Sequence, residues 1–142
     1  MIDSGGSRTY IVVLETGEEV SASLHRFAEQ NQLQGSSFKA IGAFSSVKLG
    51  WFNWQTKKYE TAVHLQEQVE VLSLIGDIAA FNGKPVVHMH AVLGHRDGHT
   101  TGGHVWELNV NPTVEIFLTA NAAPLAKRAD DASGLKLIDP TQ

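Results

Sequence analysis

Three histidines near the middle of the chain have the residue type and spacing of a metal site. His88 and His90 are two residues apart in an apolar segment, and His104 follows a Gly-Gly pair. Residues i and i+2 of a β-strand share a face, so His88 and His90 point the same way. A hairpin would bring His104 opposite them. Three imidazoles on one face would supply three ligands and leave a fourth position open, as in a catalytic zinc centre.

These histidines also have a simpler interpretation, because a histidine on a strand is usually a surface residue or a hydrogen-bonded core residue. Two observations favour a metal site: five of the seven histidines lie between residues 88 and 104, and the chain has no cysteine to compete as a ligand. We predict that His88, His90 and His104 bind a divalent metal ion. Zinc is the ion we expect, although imidazole also suits iron, nickel and copper.

Three charged residues are candidates for catalysis or ligand binding. Glu70 opens an apolar strand segment, and a carboxylate near a metal can be a fourth ligand, a group that orients a ligand, or a general base. Glu115 lies between two β-branched apolar residues, and Arg128 is close to two aspartates, as an anion clamp would be. Each has an ordinary alternative: a solvated or salt-bridged strand residue for Glu70, a surface residue for Glu115, and an ion pair at a surface or subunit contact for Arg128.

Other histidines and aromatic residues are less distinctive. His95 and His99 flank an Asp-Gly pair that predicts a turn, and histidines on loops are usually just exposed. Aromatic residues cluster at 51–54, where packing in a core or an interface is the default role. Base stacking would need a basic groove beside them, and only Lys57 and Lys58 are near.

The elements that must position these residues begin with one strand and one helix. Residues 8–15 are apolar on both faces of an extended chain, which predicts a strand buried on both sides. Thr16 and Glu19 match a capping box, and apolar residues follow at helical spacing. This pattern predicts a helix that packs one face on a core. The positions of the stripe are Val20, Leu24, Phe27 and Ala28.

From residue 36 onward the pattern is rich in β-strands. Asn82-Gly83 is the strongest hairpin signal in the chain. The polar tail, with its apolar residues at 135–138, is expected to lie against the body as an edge segment. One helix and about seven strands predict an α+β fold, a mostly antiparallel β-sheet sandwich with one main α-helix packed on it. The predicted strands lie at about 37–45, 46–54, 58–67, 69–81, 85–94, 104–110 and 113–120.

Length and composition predict one ordinary globular domain. The 142 residues are 42% hydrophobic and 18% charged, which is enough to bury a core of about residues 8–138. No apolar run approaches the ~18 residues of a membrane span. The first seven residues lack the features of a signal peptide. We therefore expect a cytoplasmic protein without a membrane partner.

The charge balance argues against a large nucleic-acid footprint. The net charge is −4, and the eleven Lys and Arg residues are scattered along the chain. Binding to phosphates depends on clustered Lys and Arg. Nucleic acid is therefore not an expected partner.

Over residues 8–138 the chain resembles the PPC (plants and prokaryotes conserved) domain. In plants this domain follows an AT-hook, and in bacteria and archaea it stands alone, often labelled as DNA-binding. No AT-hook occurs in this chain. The matching segments are Gly-Glu-Glu-Val at 17–20, Ala-Ile-Gly-Ala-Phe at 40–44, Leu-Gly at 49–50, Glu-Val-Leu-Ser-Leu-Ile-Gly-Asp-Ile at 70–78, His-Met-His-Ala at 88–91, Gly-Gly-His-Val at 102–105 and Thr-Val-Glu-Ile at 113–116.

The resemblance implies an α+β fold and a homotrimer. For prokaryotic members with this histidine pattern it also implies a metal held by His88, His90 and His104. Three functions are then open. The first is a trimeric metal-binding protein that binds or transforms a small molecule. The second is a DNA-associated regulatory protein, and the third is a structural trimer that the metal stabilises. A His₃ metal could generate hydroxide near neutral pH, but no residue names a substrate, so enzyme activity is left open.

Overall fold

The computed structural model describes residues 6–141, which form one helix and eight strands. No helix within this range is long and apolar enough to cross a bilayer. The elements in chain order are β1 (Ser7–Glu15), α1 (Val20–Gln30), β2 (Gly35–Asn53), β3 (Lys58–Leu65), β4 (Val69–Phe81), β5 (Lys84–Gly94), β6 (Thr100–Asn121), β7 (Lys127–Ala129) and β8 (Lys136–Ile138).

The first six strands form one antiparallel sheet in the order β1-β6-β5-β4-β2-β3. Strand β2 also pairs with β6. The hydrogen-bonded pairing therefore runs in a closed circuit from β2 to β4, β5 and β6 and back to β2. The predicted α+β class, with a mostly antiparallel sheet and one main helix, is confirmed. The expected turn at Asn82-Gly83 joins β4 to β5, and both residues have the positive φ that such a turn needs.

The core lies on the inner face of this circuit. Helix α1 packs against β5 and β6 through Val20, Leu24 and Ala28, three of the four residues of the predicted stripe. Burial of this apolar surface is the main force that holds the sheet and helix together. The largest fully buried side chains of the strands are Phe44, Val47, Leu49, Val69, Leu74, Ile78, Leu93, Leu108, Ile116 and Leu118.

Two pairs of predicted strands are single long strands in the structure. The strands predicted at 37–45 and 46–54 both lie in β2, which ends at Asn53, and those predicted at 104–110 and 113–120 both lie in β6. The register between β2 and β6 shifts at several places, among them between Gly42 and Phe44. Such bulges bend a strand without ending it, so residues around Pro112 continue β6 rather than interrupt it.

The predicted capping box is wrong in its details. Helix α1 begins at Val20, and Glu19 is itself the N-cap, with its carboxylate accepting two backbone N–H groups of the first turn. The Thr16 hydroxyl instead donates to the carbonyl of Pro112 at 3.2 Å. Glu19 also accepts the backbone N–H of Leu108 at 3.1 Å. The same carboxylate therefore caps α1 and ties it to β6.

The prediction that β1 is buried on both faces is wrong for the single chain. Ile11 and Val13 are 66% and 56% exposed. Their register partners continue the same outer face of the sheet onto β6 and β2. We call this surface the outer apolar face. It consists of Ile11, Val13, Ile41, Leu72, Ile75 and Phe117.

The tail lies against the main sheet, as expected, but its strands form a small sheet of their own rather than joining the main one. Strands β7 and β8 pair only with each other within residues 6–141, and Leu137 and Ile138 stay partly exposed. The tail reaches the main sheet through the Ala80 N–H, which donates to the Leu125 carbonyl at 2.7 Å. This contact places Lys127 beside β4.

Candidate metal centre

Two neighbouring strands bring the three histidines together on the outer face of the sheet. His88 and His90 alternate on β5 with the buried side chains of Met89 and Ala91. On β6, His104 is the register partner of His90. The predicted hairpin geometry is therefore confirmed, with a connecting loop at 95–99.

The Gly-Gly pair before His104 allows β6 to pass close to both neighbouring strands. A Cβ atom at Gly102 would lie 2.8 Å from the carbonyl oxygen of Ala91, and one at Gly103 would lie 2.8 Å from that of Gly50. Both distances are shorter than real Cβ contacts. A side chain at either position would force β6 to shift, and His104 with it.

The ring nitrogens of the three histidines converge on one point. One nitrogen from each of His88, His90 and His104 lies within 4.8 Å of the other two. The Nε2 atoms of His88 and His90 are 3.2 Å apart. Zn–N bonds of about 2.0–2.1 Å in a tetrahedral site place ligand nitrogens roughly 3.3 Å apart. The spacing of the first pair therefore already fits a shared ion.

The surroundings of His90 and His104 favour neutral imidazoles, the form that binds metals. Burial lowers the pKa of His104 to about 4, and the nearby His88 and His90 rings act in the same direction. Burial, and then the charge of His88, also lower the pKa of His90. The Nδ1 atom of His104 is buried and has no hydrogen-bond partner among the described residues. A neutral, unsatisfied imidazole in this position fits a metal ligand.

Asp77 and Lys127 lie behind His88, and sequence reasoning missed both. The Asp77 Oδ2 atom is 3.5 Å from Nδ1 of His88, and Oδ1 is 2.8 Å from Nζ of Lys127. Partial burial acts to raise the pKa of the Asp77 carboxyl, but its contacts with His88 and Lys127 outweigh this and hold the pKa below its usual value.

A signal for Asp77 was present in the sequence. Asp77 and His88 stand five residues before and after the Asn82-Gly83 turn. A two-residue turn fixes the register of its hairpin, and the two residues are indeed partners. No comparable signal exists for Lys127, which arrives from a separate small sheet.

Aromatic residues cover the other side of the cluster. The Tyr59 ring stacks on the His104 imidazole with centroids 4.1 Å apart, and Trp106 meets the same imidazole edge-on at 5.4 Å. The Trp106 indole occupies the space that a side chain at Gly50 would fill, since a Cβ there would be 2.4 Å from Nε1. These contacts restrict the orientation of His104.

A shallow depression of about 370 Å³ adjoins the cluster. Ile75, the register partner of His90, lines it and also belongs to the outer apolar face. The depression gives solvent and small molecules access to the histidines from this side. Its other lining residues include Phe38, Asp77, His88 and Met89.

The carboxylate candidates from the sequence lie away from the histidines. Glu70 pairs with Gly94, four residues beyond His90 on β5, or roughly 13 Å along the strand. Glu115 is exposed, as its simpler interpretation expects, and is eleven residues from His104 on β6. The structure brings neither residue into the group that could hold a metal.

The remaining candidates form contacts of their own. Arg128 is exposed on β7, and its Nε atom is 4.0 Å from a carboxylate oxygen of Asp139. His95 is stacked on His99 with centroids 3.9 Å apart and is hydrogen-bonded to Thr101 at 3.0 Å. Both histidines therefore belong to a loop cluster separate from the three-histidine group.

Comparison with solved structures supports the same fold, and one of the similar proteins contains a metal. A plant- and prokaryote-conserved (PPC) protein of Pyrococcus horikoshii is 29% identical, with a TM-score of 0.87 over 95% of this chain and 93% of that one. A metal-containing protein of Archaeoglobus fulgidus is 28% identical, with a TM-score of 0.86 over 93% of each chain. A protein of Bacteroides thetaiotaomicron, provisionally described as DNA-binding, is 25% identical, with a TM-score of 0.89 over 94% and 93%.

Sequence comparison gives the family. The bifunctional protein GlmU of a Synechococcus strain is 32% identical over 120 residues, which are 84% of this chain but only 17% of GlmU. The chain thus spans about a sixth of that relative. The model of the Plants and Prokaryotes Conserved (PCC) domain matches residues 1–121. The chain therefore belongs to the Plants and Prokaryotes Conserved domain family.

Proposed function

We propose that this chain is a metal-binding protein in which His88, His90 and His104 hold one divalent ion, with zinc as the expected ion. The observation that carries the proposal is the convergence of their ring nitrogens within 4.8 Å. The low pKa of His104 keeps its ring neutral and available. The metal-containing relative from Archaeoglobus fulgidus supports the same function.

The surroundings of the histidines favour a small molecule as the ligand of this site. A bound divalent ion supplies Lewis-acid character, and three protein ligands leave room for a further one. The adjoining depression of about 370 Å³ has the size of a small ligand site. Phe38 and Ile75 give it apolar walls, and the histidines and Asp77 give it polar groups.

We also propose that the chain assembles as a homotrimer, the assembly that the family resemblance implies. The outer apolar face supports association, because six large apolar side chains on neighbouring strands are left exposed in the single chain. Exposed apolar surface of this size marks interaction sites, here with the charged residues Lys39 and Glu115 between the apolar side chains. Ile75 joins this face to the metal site, so a neighbouring subunit would also limit access to the histidines.

A DNA-associated role is the second candidate, because the related protein of Bacteroides thetaiotaomicron is provisionally described as DNA-binding. The net charge of −4 weighs against it. Phosphate contacts require clustered positive charge. Glu70, Glu115 and Arg128 remain candidates for a role in ligand binding or catalysis at an assembled surface.

Calorimetric titration of untagged, metal-free protein with zinc tests the proposed function. We expect one zinc ion per chain, and no saturable binding by His90→Ala. His99→Ala is the matched control, because it removes an imidazole from the separate loop cluster and should bind like the wild type. Absence of saturable binding by the wild type would overturn the proposal, as would equal binding by His90→Ala.

A further inference from the structure

The contacts behind His88 go beyond the three proposed ligands. One carboxylate oxygen of Asp77 lies 3.5 Å from Nδ1 of His88. The other lies 2.8 Å from Nζ of Lys127. The Lys127 side chain is only 3% exposed. A buried ammonium group is unfavourable unless it is paired, so the ion pair with Lys127 favours a charged Asp77 carboxylate at this position.

We propose that Asp77 and Lys127 form a positioning pair for the metal site: Asp77 orients the His88 ring, and Lys127 acts through Asp77. This inference rests on the proposed metal-binding function. A carboxylate that accepts Nδ1–H of a histidine fixes the tautomer in which Nε2 carries the free lone pair. In His88 it is Nε2 that faces His90, at 3.2 Å. The contact with Asp77 therefore leaves the correct nitrogen free for the ion.

Because Lys127 lies on β7, the pair depends on the small β7–β8 sheet. The family model matches residues 1–121, whereas Lys127 lies on β7, which pairs with β8 in the small sheet. That sheet is attached to β4 at Ala80. A segment outside the family match thus supplies the partner of a carboxylate inside it. The expected consequence is that changes in this segment alter metal affinity without touching a ligand.

A double-mutant cycle tests the pair. Zinc dissociation constants are measured by competition with a chromophoric chelator for the wild type, Asp77→Ala, Lys127→Met and the double variant. We expect Asp77→Ala to weaken zinc binding about 10- to 100-fold, the usual effect of removing such a partner, and Lys127→Met to weaken it less. The double variant should match Asp77→Ala within about twofold, because Lys127 has no effect without Asp77.

Two further measurements separate positioning from a general loss of structure. The visible spectrum of the cobalt-substituted protein reports ligand geometry directly, and it should change in Asp77→Ala. Asp97→Ala is the matched control, since it removes the carboxylate that contacts His99 on the 95–99 loop. The control should keep the wild-type affinity and cobalt spectrum. If Asp77→Ala does not fold, Asp77→Asn takes its place and should show a smaller loss of affinity.

The outcomes distinguish this inference from the proposed function. Zinc binding by the wild type, with unchanged affinity and cobalt spectrum in Asp77→Ala, would overturn the positioning pair alone. A loss in the double variant equal to the product of the two single losses would refute the action of Lys127 through Asp77. Failure of the wild type to bind zinc would overturn both proposals.

Discussion

The Nε2 atoms of His88 and His90 lie 3.2 Å apart on the same face of β5. His104 completes the group from β6, where it pairs directly with His90. Two adjacent strands thus fix all three side chains, and ligands on strands are held more precisely than ligands on loops. The position of β6 decides whether the third histidine reaches the other two.

Substitution of Gly103 by alanine tests this dependence. A Cβ atom there would lie 2.8 Å from the carbonyl oxygen of Gly50, and overpacking of this kind typically costs about 1–3 kcal/mol. We expect Gly103→Ala to lower the free energy of unfolding by that amount in urea titrations and to weaken zinc binding. Thr100→Ala, at an exposed position of the same strand, is the control and should change neither.

The stability of the metal-free protein should fall in mild acid. The pKa of His104 is about 4 in the folded chain and about 6.5 in the unfolded chain. Between these values the unfolded state binds more protons, so the free energy of unfolding decreases as the pH falls from about 6.5 towards 4. The lowered pKa of His90 acts in the same direction. Above pH 6.5 neither His90 nor His104 makes the free energy of unfolding depend on pH.

Urea denaturation at pH 7, 6 and 5 measures this effect. His104→Phe should flatten the pH dependence, because it removes the titrating group and keeps a ring against Tyr59. Thr100→Ala, at an exposed position of the same strand and with no titrating group, should keep the wild-type slope. An identical pH dependence in the wild type and His104→Phe would argue against a half-buried, neutral His104.

The sequence allowed much of the fold and the three histidines to be predicted. The period of two in the strands and the Asn82-Gly83 turn gave β4, β5 and their hairpin correctly. Long β2 and β6 were divided in two, because bulges in a continuous strand resemble turns at the level of sequence. Lys127 could not be foreseen, since its contact with Asp77 depends on tertiary packing between segments that are far apart in the chain.

The burial of β1 shows a different limit of prediction from the sequence. Its two apolar faces predicted a strand covered on both sides, whereas Ile11 and Val13 are exposed in the single chain. An apolar pattern predicts that a strand face is buried. It does not distinguish burial by the same chain from burial by another subunit. A subunit contact would account for the pattern.

The oligomeric state is therefore a direct test of the outer apolar face. Light scattering coupled to size exclusion should give the mass of three chains of 15.4 kDa each. Ile41→Asp places a charge within the face and should shift the protein towards monomers. Leu137→Asp, at an exposed position on β8, should leave the assembly intact. A wild-type mass of one chain would contradict the homotrimer.

The exposed Trp51, Trp54 and Trp106 are expected at or near the contact between subunits.

Specific DNA binding should be absent at physiological salt. The net charge is −4, and the basic residues are scattered along the sequence rather than clustered as phosphate binding requires. Fluorescence anisotropy with random duplexes should show only weak binding that disappears steeply as salt rises. Sub-micromolar affinity at about 150 mM salt would support the DNA-associated function instead.

Metal content per chain tests the central claim most directly. The measurement is elemental analysis of untagged wild type, His88→Ala, His104→Ala and His99→Ala after incubation with zinc and removal of the excess. We predict one zinc per chain in the wild type and in His99→Ala, and far less than one in His88→Ala and His104→Ala. Occupancy well below one in the wild type, or full occupancy in both ligand variants, would contradict the three-histidine site.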